Sequence, residues 1–105
     1  MASTPESKVK AAVVKILKAH GAYYFFPATH GYGRSGVPDI VCCVNGKFVA
    51  IECKAGKNEP TELQKREITL IQTAKGIAAV VRETNLDMVE RILKELTHDN
   101  KESNK

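Results

Sequence analysis

No apolar run in the sequence approaches the about 20 residues needed to span a membrane. The first ten residues, MASTPESKVK, lack the apolar core of a secretion signal. The expected compartment is therefore the cytoplasm, with no membrane partner. Cysteine is scarce: Cys42, Cys43 and Cys53 make an odd count with no Cys-x-x-Cys pair. That argues against a disulfide framework or a zinc site. It leaves three small hydrophobes, expected to be buried in strands. Internal repeats and low-complexity segments are absent as well. The expected layout is one domain over residues 1–96 and a disordered polar tail over 97–105.

What is present suits one compact domain. The chain has 105 residues, 43% of them hydrophobic, enough for a single core. A net charge of +4 and a pI near 9.0 permit a polyanionic partner without requiring one.

Along the chain, Thr4, Pro5 and Glu6 form a helix start, as N-cap, first-turn proline and first-turn acid. Val9, Ala12, Val13, Ile16 and Leu17 keep helical spacing. Gly21 supplies the stop, and His20 is a partner for the helix dipole. The aromatic run AYYFFP reads as a strand, with Tyr23 and Tyr24 packed into the core. The next segment, ATHGYGRSG, has glycines in dinucleotide-binding spacing, but a strand follows them instead of the required helix. It reads as a loop carrying His30, Tyr32, Arg34 and Ser35. Thr61 and Gln64 then form a capping-box pattern. Leu63, Leu70, Ile71 and Ala74 mark the expected buried side of that helix. The apolar run Ile77–Arg82 suits a central strand covered on both faces, reached by a parallel crossover. Leu86, Val89, Ile92, Leu93 and Leu96 define a third helix, with Asn85 as its cap. The order is α-β-β-β-α-β-α, an α/β fold around a mixed sheet.

The chemistry concentrates in GVPDIVCCVNGKFVAIECK, residues 36–54. Asn45-Gly46 between two β-prone runs is a hairpin signal, because both residues tolerate the positive φ of a type I′ turn. Counting back from a two-residue turn pairs Val44 with Lys47, Cys42 with Val49 and Ile40 with Ile51. Asp39 then faces Glu52. Side chains alternate faces, so Asp39, Glu52 and Lys54 share one. Two close carboxylates repel unless a cation joins them or one is protonated. Oxygen ligands of this kind suit Mg2+ or Mn2+.

Pro38-Asp39 followed across a hairpin by Glu52-Cys53-Lys54 resembles the signature of the PD-(D/E)XK nuclease superfamily. The surrounding G-V-P-D-I-V, A-I-E-C-K and T-x-x-Q are most similar to the VRR-NUC family, including its small stand-alone, Holliday-junction-resolvase-like members. The resemblance covers about Glu6 to Arg82. It implies a restriction-endonuclease-like α-β-β-β-α-β core and a phosphodiesterase dependent on Mg2+ or Mn2+, with no organic cofactor. Asp39, Glu52 and the main-chain carbonyl of Cys53 match the metal ligands, and Lys54 matches the motif lysine. Gln64 matches the glutamine of the following helix, and Glu6 stands where relatives carry a first-helix glutamate. Arg34, Ser35 and Lys57 are the candidates for contacting nucleic acid. The implied substrate is branched, junction or flap DNA, cut by a homodimer that pairs through the third helix's apolar side or an exposed strand. The alternatives are a sequence-preferring or nicking nuclease, or a silent nucleic-acid-binding module. Retention of Asp39, Glu52 and Lys54 together argues against the silent module.

Overall fold

The structure, a computed structural model, describes residues 4–28 and 33–103, with side chains as far as residue 97. His30 and Tyr32 of the glycine-rich loop lie outside the described residues. The elements are α1 (Pro5–Ala19), β1 (Tyr23–Phe25), β2 (Ile40–Val44), β3 (Lys47–Cys53), α2 (Glu62–Thr73), β4 (Ile77–Val81) and α3 (Asp87–Ser103). Their order is the α-β-β-β-α-β-α of the sequence reading. Helix α3 continues past Leu96 into the polar segment as far as Ser103.

The strands form one mixed sheet in the order β1-β2-β3-β4. The first three are antiparallel, and β4 runs parallel to β3 through the α2 crossover. At the hairpin, Asn45 and Gly46 have φ of 53° and 81°, as a type I′ turn requires. The register follows the turn: Val44 pairs with Lys47, Cys42 with Val49, and Ile40 with Ile51. A one-residue slip would have sent Asp39 to the opposite face.

One face of the sheet carries the core. Ile40, Cys42, Val44, Val49, Ile51 and Cys53 pack with Val9, Val13 and Leu17 of α1 and with Val89, Leu93 and Leu96 of α3. Thr4 caps α1, accepting the Ser7 amide at 3.0 Å. His20 at the far end bonds Glu90 of α3 at 2.6 Å, tying the two helices together.

The other face is covered only in part by α2, and three expectations change because of it. Strand β4 is an edge of the four-stranded sheet, and only Val81 in it is buried. Leu63 and Leu70 are 46% and 45% exposed, and the buried residue of α2 is Glu67. Cys43 and Tyr23, paired on this face, are exposed, whereas Tyr24 on the reverse side packs against the core. Asn85 does not act as a simple helix cap. Its side chain accepts the Arg82 amide at 2.6 Å and closes the turn between β4 and α3.

Candidate active site

Three elements converge at the end of the hairpin. Glu6 lies in the first turn of α1, Asp39 enters β2, and Glu52 ends β3. One carboxylate oxygen from each falls within 4.8 Å of the other two. Asp39 is held in place by its Oδ2, which accepts the Cys53 amide at 2.9 Å. The hydrogen bond also joins the start of β2 to the end of β3.

Glu52 is 1% exposed. Its Oε2 accepts Gln64 Nε2 at 3.1 Å and lies 3.6 Å from Lys54 Nζ. Its Oε1 is buried without a hydrogen-bond partner among the described residues. A buried carboxylate oxygen with no donor is costly unless a cation or a proton meets it. Burial first, then the Asp39 charge, pushes the Glu52 carboxyl up to about 7, against the opposing pull of Lys54. Lys54 itself is only 9% exposed, with its ammonium turned towards this carboxylate.

The arrangement fits a hard divalent cation. Glu6, Asp39 and Glu52 supply oxygens from three directions, and the free Glu52 oxygen is the one without another task.

Gln64 performs two roles with one side chain. Its Oε1 accepts the Thr61 amide at 2.8 Å, completing the capping box of α2. Its Nε2 is left to hold Glu52. The capping box therefore fixes the rotamer that reaches the carboxylate.

The residues proposed to contact nucleic acid fall on two sides of this group. Lys57 lines an open hollow of about 520 Å3 with Glu6, Ala55, Asn58 and Glu83. There the Glu83 carboxylate accepts the Gly56 amide at 3.0 Å. Arg34 and Ser35 lie against α2. Arg34 makes a two-pronged contact with Glu67, Nε to Oε1 at 2.8 Å and Nη2 to Oε2 at 3.0 Å. The hydrogen bond from Arg34 holds the Glu67 carboxyl below the usual range.

Neither Glu67 nor the role of Gly36 follows from sequence spacing. Gly36 has φ of 80°, and a Cβ there would meet the Leu63 carbonyl carbon at 2.6 Å and the Gln64 nitrogen at 2.9 Å. Only glycine lets the strand carrying Asp39 approach α2 this closely. The positive-φ glycine was visible in the sequence as part of a loop, but its contact with α2 was not.

Among the described residues, no helix is long and apolar enough to cross a membrane. In comparison with known proteins, residues 6–85 match the family of archaeal Holliday junction resolvases. A solved structure described as a VRR_NUC domain superposes with a TM-score of 0.70, covering 88% of this chain and 97% of that one at 21% identity. That similarity is one of fold. "Putative nuclease p44" of Acyrthosiphon pisum secondary endosymbiont phage 1 is 41% identical over 63 residues. The matched region spans 59% of this chain and 64% of that protein. With the family match extending from the first-helix glutamate to the turn after β4, the chain belongs to the archaeal Holliday junction resolvase family, on a VRR-NUC-type fold.

Proposed function

We propose that this chain is an endodeoxyribonuclease that hydrolyses phosphodiester bonds with Mg2+ or Mn2+, prefers branched or junction DNA, and acts as a homodimer. The observation that carries this reading is the unpartnered, buried Oε1 of Glu52 inside the Glu6–Asp39–Glu52 group, with Lys54 alongside.

Glu6, Asp39, Glu52 and the Cys53 main-chain carbonyl would hold the metal. When bound, it supplies charge neutralisation at phosphorus and a more acidic water. The chain's own groups do the rest. Gln64 keeps Glu52 oriented by holding Oε2, which leaves Oε1 without a hydrogen-bond partner. Lys54, 3.6 Å from Glu52 Oε2, would orient the attacking water and offset negative charge as it builds on the phosphoryl oxygens. Asp39, anchored by the Cys53 amide, keeps a fixed distance to Glu52 across the hairpin.

Support for the homodimer comes from the open sheet face. Tyr23, Phe25 and Phe48 are 69%, 47% and 47% exposed and project from that face. Clustered exposed aromatics on a sheet mark an interaction surface. The apolar residues Val89, Leu93 and Leu96 of α3 are spent in the core, which favours the strand face over that helix for a second copy. Two active sites related by a two-fold axis suit the symmetric cutting of a junction.

A panel of a four-way junction, a flap and a linear duplex in Mg2+, Mn2+ and EDTA tests the proposal. Metal-dependent cutting that favours the junction supports it. Equal cutting of all three removes the structural preference, and no cutting removes the nuclease reading.

A further inference from the structure

Glu67 is a charged residue placed where a helix normally carries a leucine, on the buried side of α2, with 4% of its surface exposed. It sits one turn beyond Leu63 and Gln64. Two arginines converge on its carboxylate. Arg34 arrives from the loop before β2 and takes both oxygens. Arg66, its helix neighbour, brings Nη2 to 3.8 Å from Oε2. Both arginine side chains nonetheless stay open to solvent, at 61% and 57%. They border an open hollow of about 560 Å3, shared with Gly33, Ser35, Leu63 and Leu70.

This is an uncommon way to use a carboxylate. One buried negative charge neutralises only one of the two guanidinium groups, so the rim of the hollow keeps a net positive charge. A guanidinium carries five N–H donors in a rigid fork. Arg34 spends two of them on Glu67. The others remain for a ligand, with the fork's orientation already set. Holding an arginine in advance lowers the entropy lost when it grips an anion. Ser35 adds a hydroxyl on the same rim.

We infer that the hollow between the residue 33–36 loop and α2 is a phosphate-binding site for the DNA backbone, separate from the carboxylate group, with Arg34 and Arg66 as its contacts and Glu67 as the residue that positions them. The inference rests on the DNA-binding part of the proposed function. It adds Arg66 and Glu67, and it gives Arg34 a preset geometry. The site also has a fixed relation to the cutting site. Gly36 locks the same loop against the backbone of Leu63 and Gln64, and Gln64 holds Glu52.

The test is binding of a labelled duplex and a four-way junction across a salt series, in EDTA so that cleavage does not enter. Arg34→Ala and Arg66→Ala should each weaken binding, on the order of tenfold at 0.1 M salt, and each should lower the salt slope by about 1. Lys15→Ala, on the exposed side of α1, is the control and should leave both unchanged. Glu67→Gln gives a sign that bulk electrostatics cannot mimic. Removing a negative charge beside DNA ordinarily tightens binding, whereas loss of a positioning carboxylate loosens it. The expected result is weaker binding by Glu67→Gln with an unchanged fold by circular dichroism. Should Glu67→Gln fail to fold, Arg66→Ala decides alone, because that side chain is more than half exposed and its approach to Glu67 is the longer of the two arginine contacts. Unchanged slopes in both arginine variants, or tighter binding by a folded Glu67→Gln, overturn the site. If binding behaves as expected but no metal supports cleavage, the phosphate site stands and the nuclease reading falls. The reverse pattern leaves the nuclease and removes the site.

Discussion

Gln64 donates from Nε2 to Glu52 Oε2 at 3.1 Å while its Oε1 accepts the Thr61 amide at 2.8 Å, so one side chain both starts α2 and orients a buried carboxylate. The two tasks can be separated by substitution. Gln64→Ala loses both, but Thr61 keeps its bond to the residue-64 amide, so the stability cost should stay below about 1 kcal/mol. Gln64→Glu keeps the capping box but sets a second carboxylate against Glu52. Partners that orient a metal ligand are typically worth about 10–100-fold in metal affinity or activity. Gln64→Glu should therefore melt near the wild-type temperature and lose cleavage within or beyond that range. Wild-type rates in Gln64→Glu would show that the contact is only structural.

The pH dependence of stability follows from Glu52. Its carboxyl stands at about 7 in the folded protein, above the ordinary 4.5. The folded protein therefore holds this proton more tightly than the unfolded chain does. The resulting stabilisation is complete below about pH 4.5 and is lost as pH rises through about 7, on the order of 3 kcal/mol in all. Without metal, melting should show this loss between those limits, and Glu52→Gln should not show it. Added Mn2+ should raise the melting temperature more at pH 8 than at pH 5.5, because protons compete for the same oxygens. A metal effect that grows as pH falls would contradict this.

Gly36→Ala brings a side chain into the Leu63–Gln64 backbone and imposes it on a φ of 80°. The expected loss is more than about 1 kcal/mol of stability. Activity should fall further than stability explains, as α2 withdraws Gln64 from Glu52. Thermal melting together with cleavage rates well below the melting temperature measures both. Wild-type rates in a folded Gly36→Ala would show that the close approach does not position Gln64.

The cysteines give a check on the two sheet faces. Burial pushes the Cys42 thiol up to about 11 and the Cys53 thiol up to about 12, whereas Cys43 lies exposed on the open face. A thiol reagent at pH 8 should label Cys43 in the native protein and all three cysteines after denaturation, read by mass spectrometry. Comparable native labelling of Cys42 or Cys53 would mean that the hairpin register differs.

Local signals made most of the fold legible. Asn45-Gly46 set the hairpin register, the Thr4 and Thr61 caps set two helix starts, and the run after Gly76 set the parallel crossover. Asp39, Glu52 and Lys54 could be placed together by counting from the turn. What counting could not supply was tertiary. The side of α2 that faces the sheet was misread because Leu63 and Leu70 look like a buried stripe, while the residue in that position, Glu67, becomes buriable only through Arg34, 33 positions earlier. Strand β4 looked central from its apolar composition, yet its place at the edge depends on what packs beside it. Cys43 and Tyr23 were expected inside for a similar reason, since nothing local shows that α2 leaves part of the sheet open.

Single-turnover cleavage of a four-way junction by wild-type protein, Asp39→Asn and Glu52→Gln, each in Mg2+, Mn2+ and EDTA, tests the central claim most directly. The wild type should cut with metal and stop in EDTA. Both variants should lose activity beyond the about 10–100-fold typical of outer positions while still binding the junction. Cleavage by both variants at the wild-type rate, or wild-type cleavage undiminished in EDTA, would contradict a metal site built on these two carboxylates.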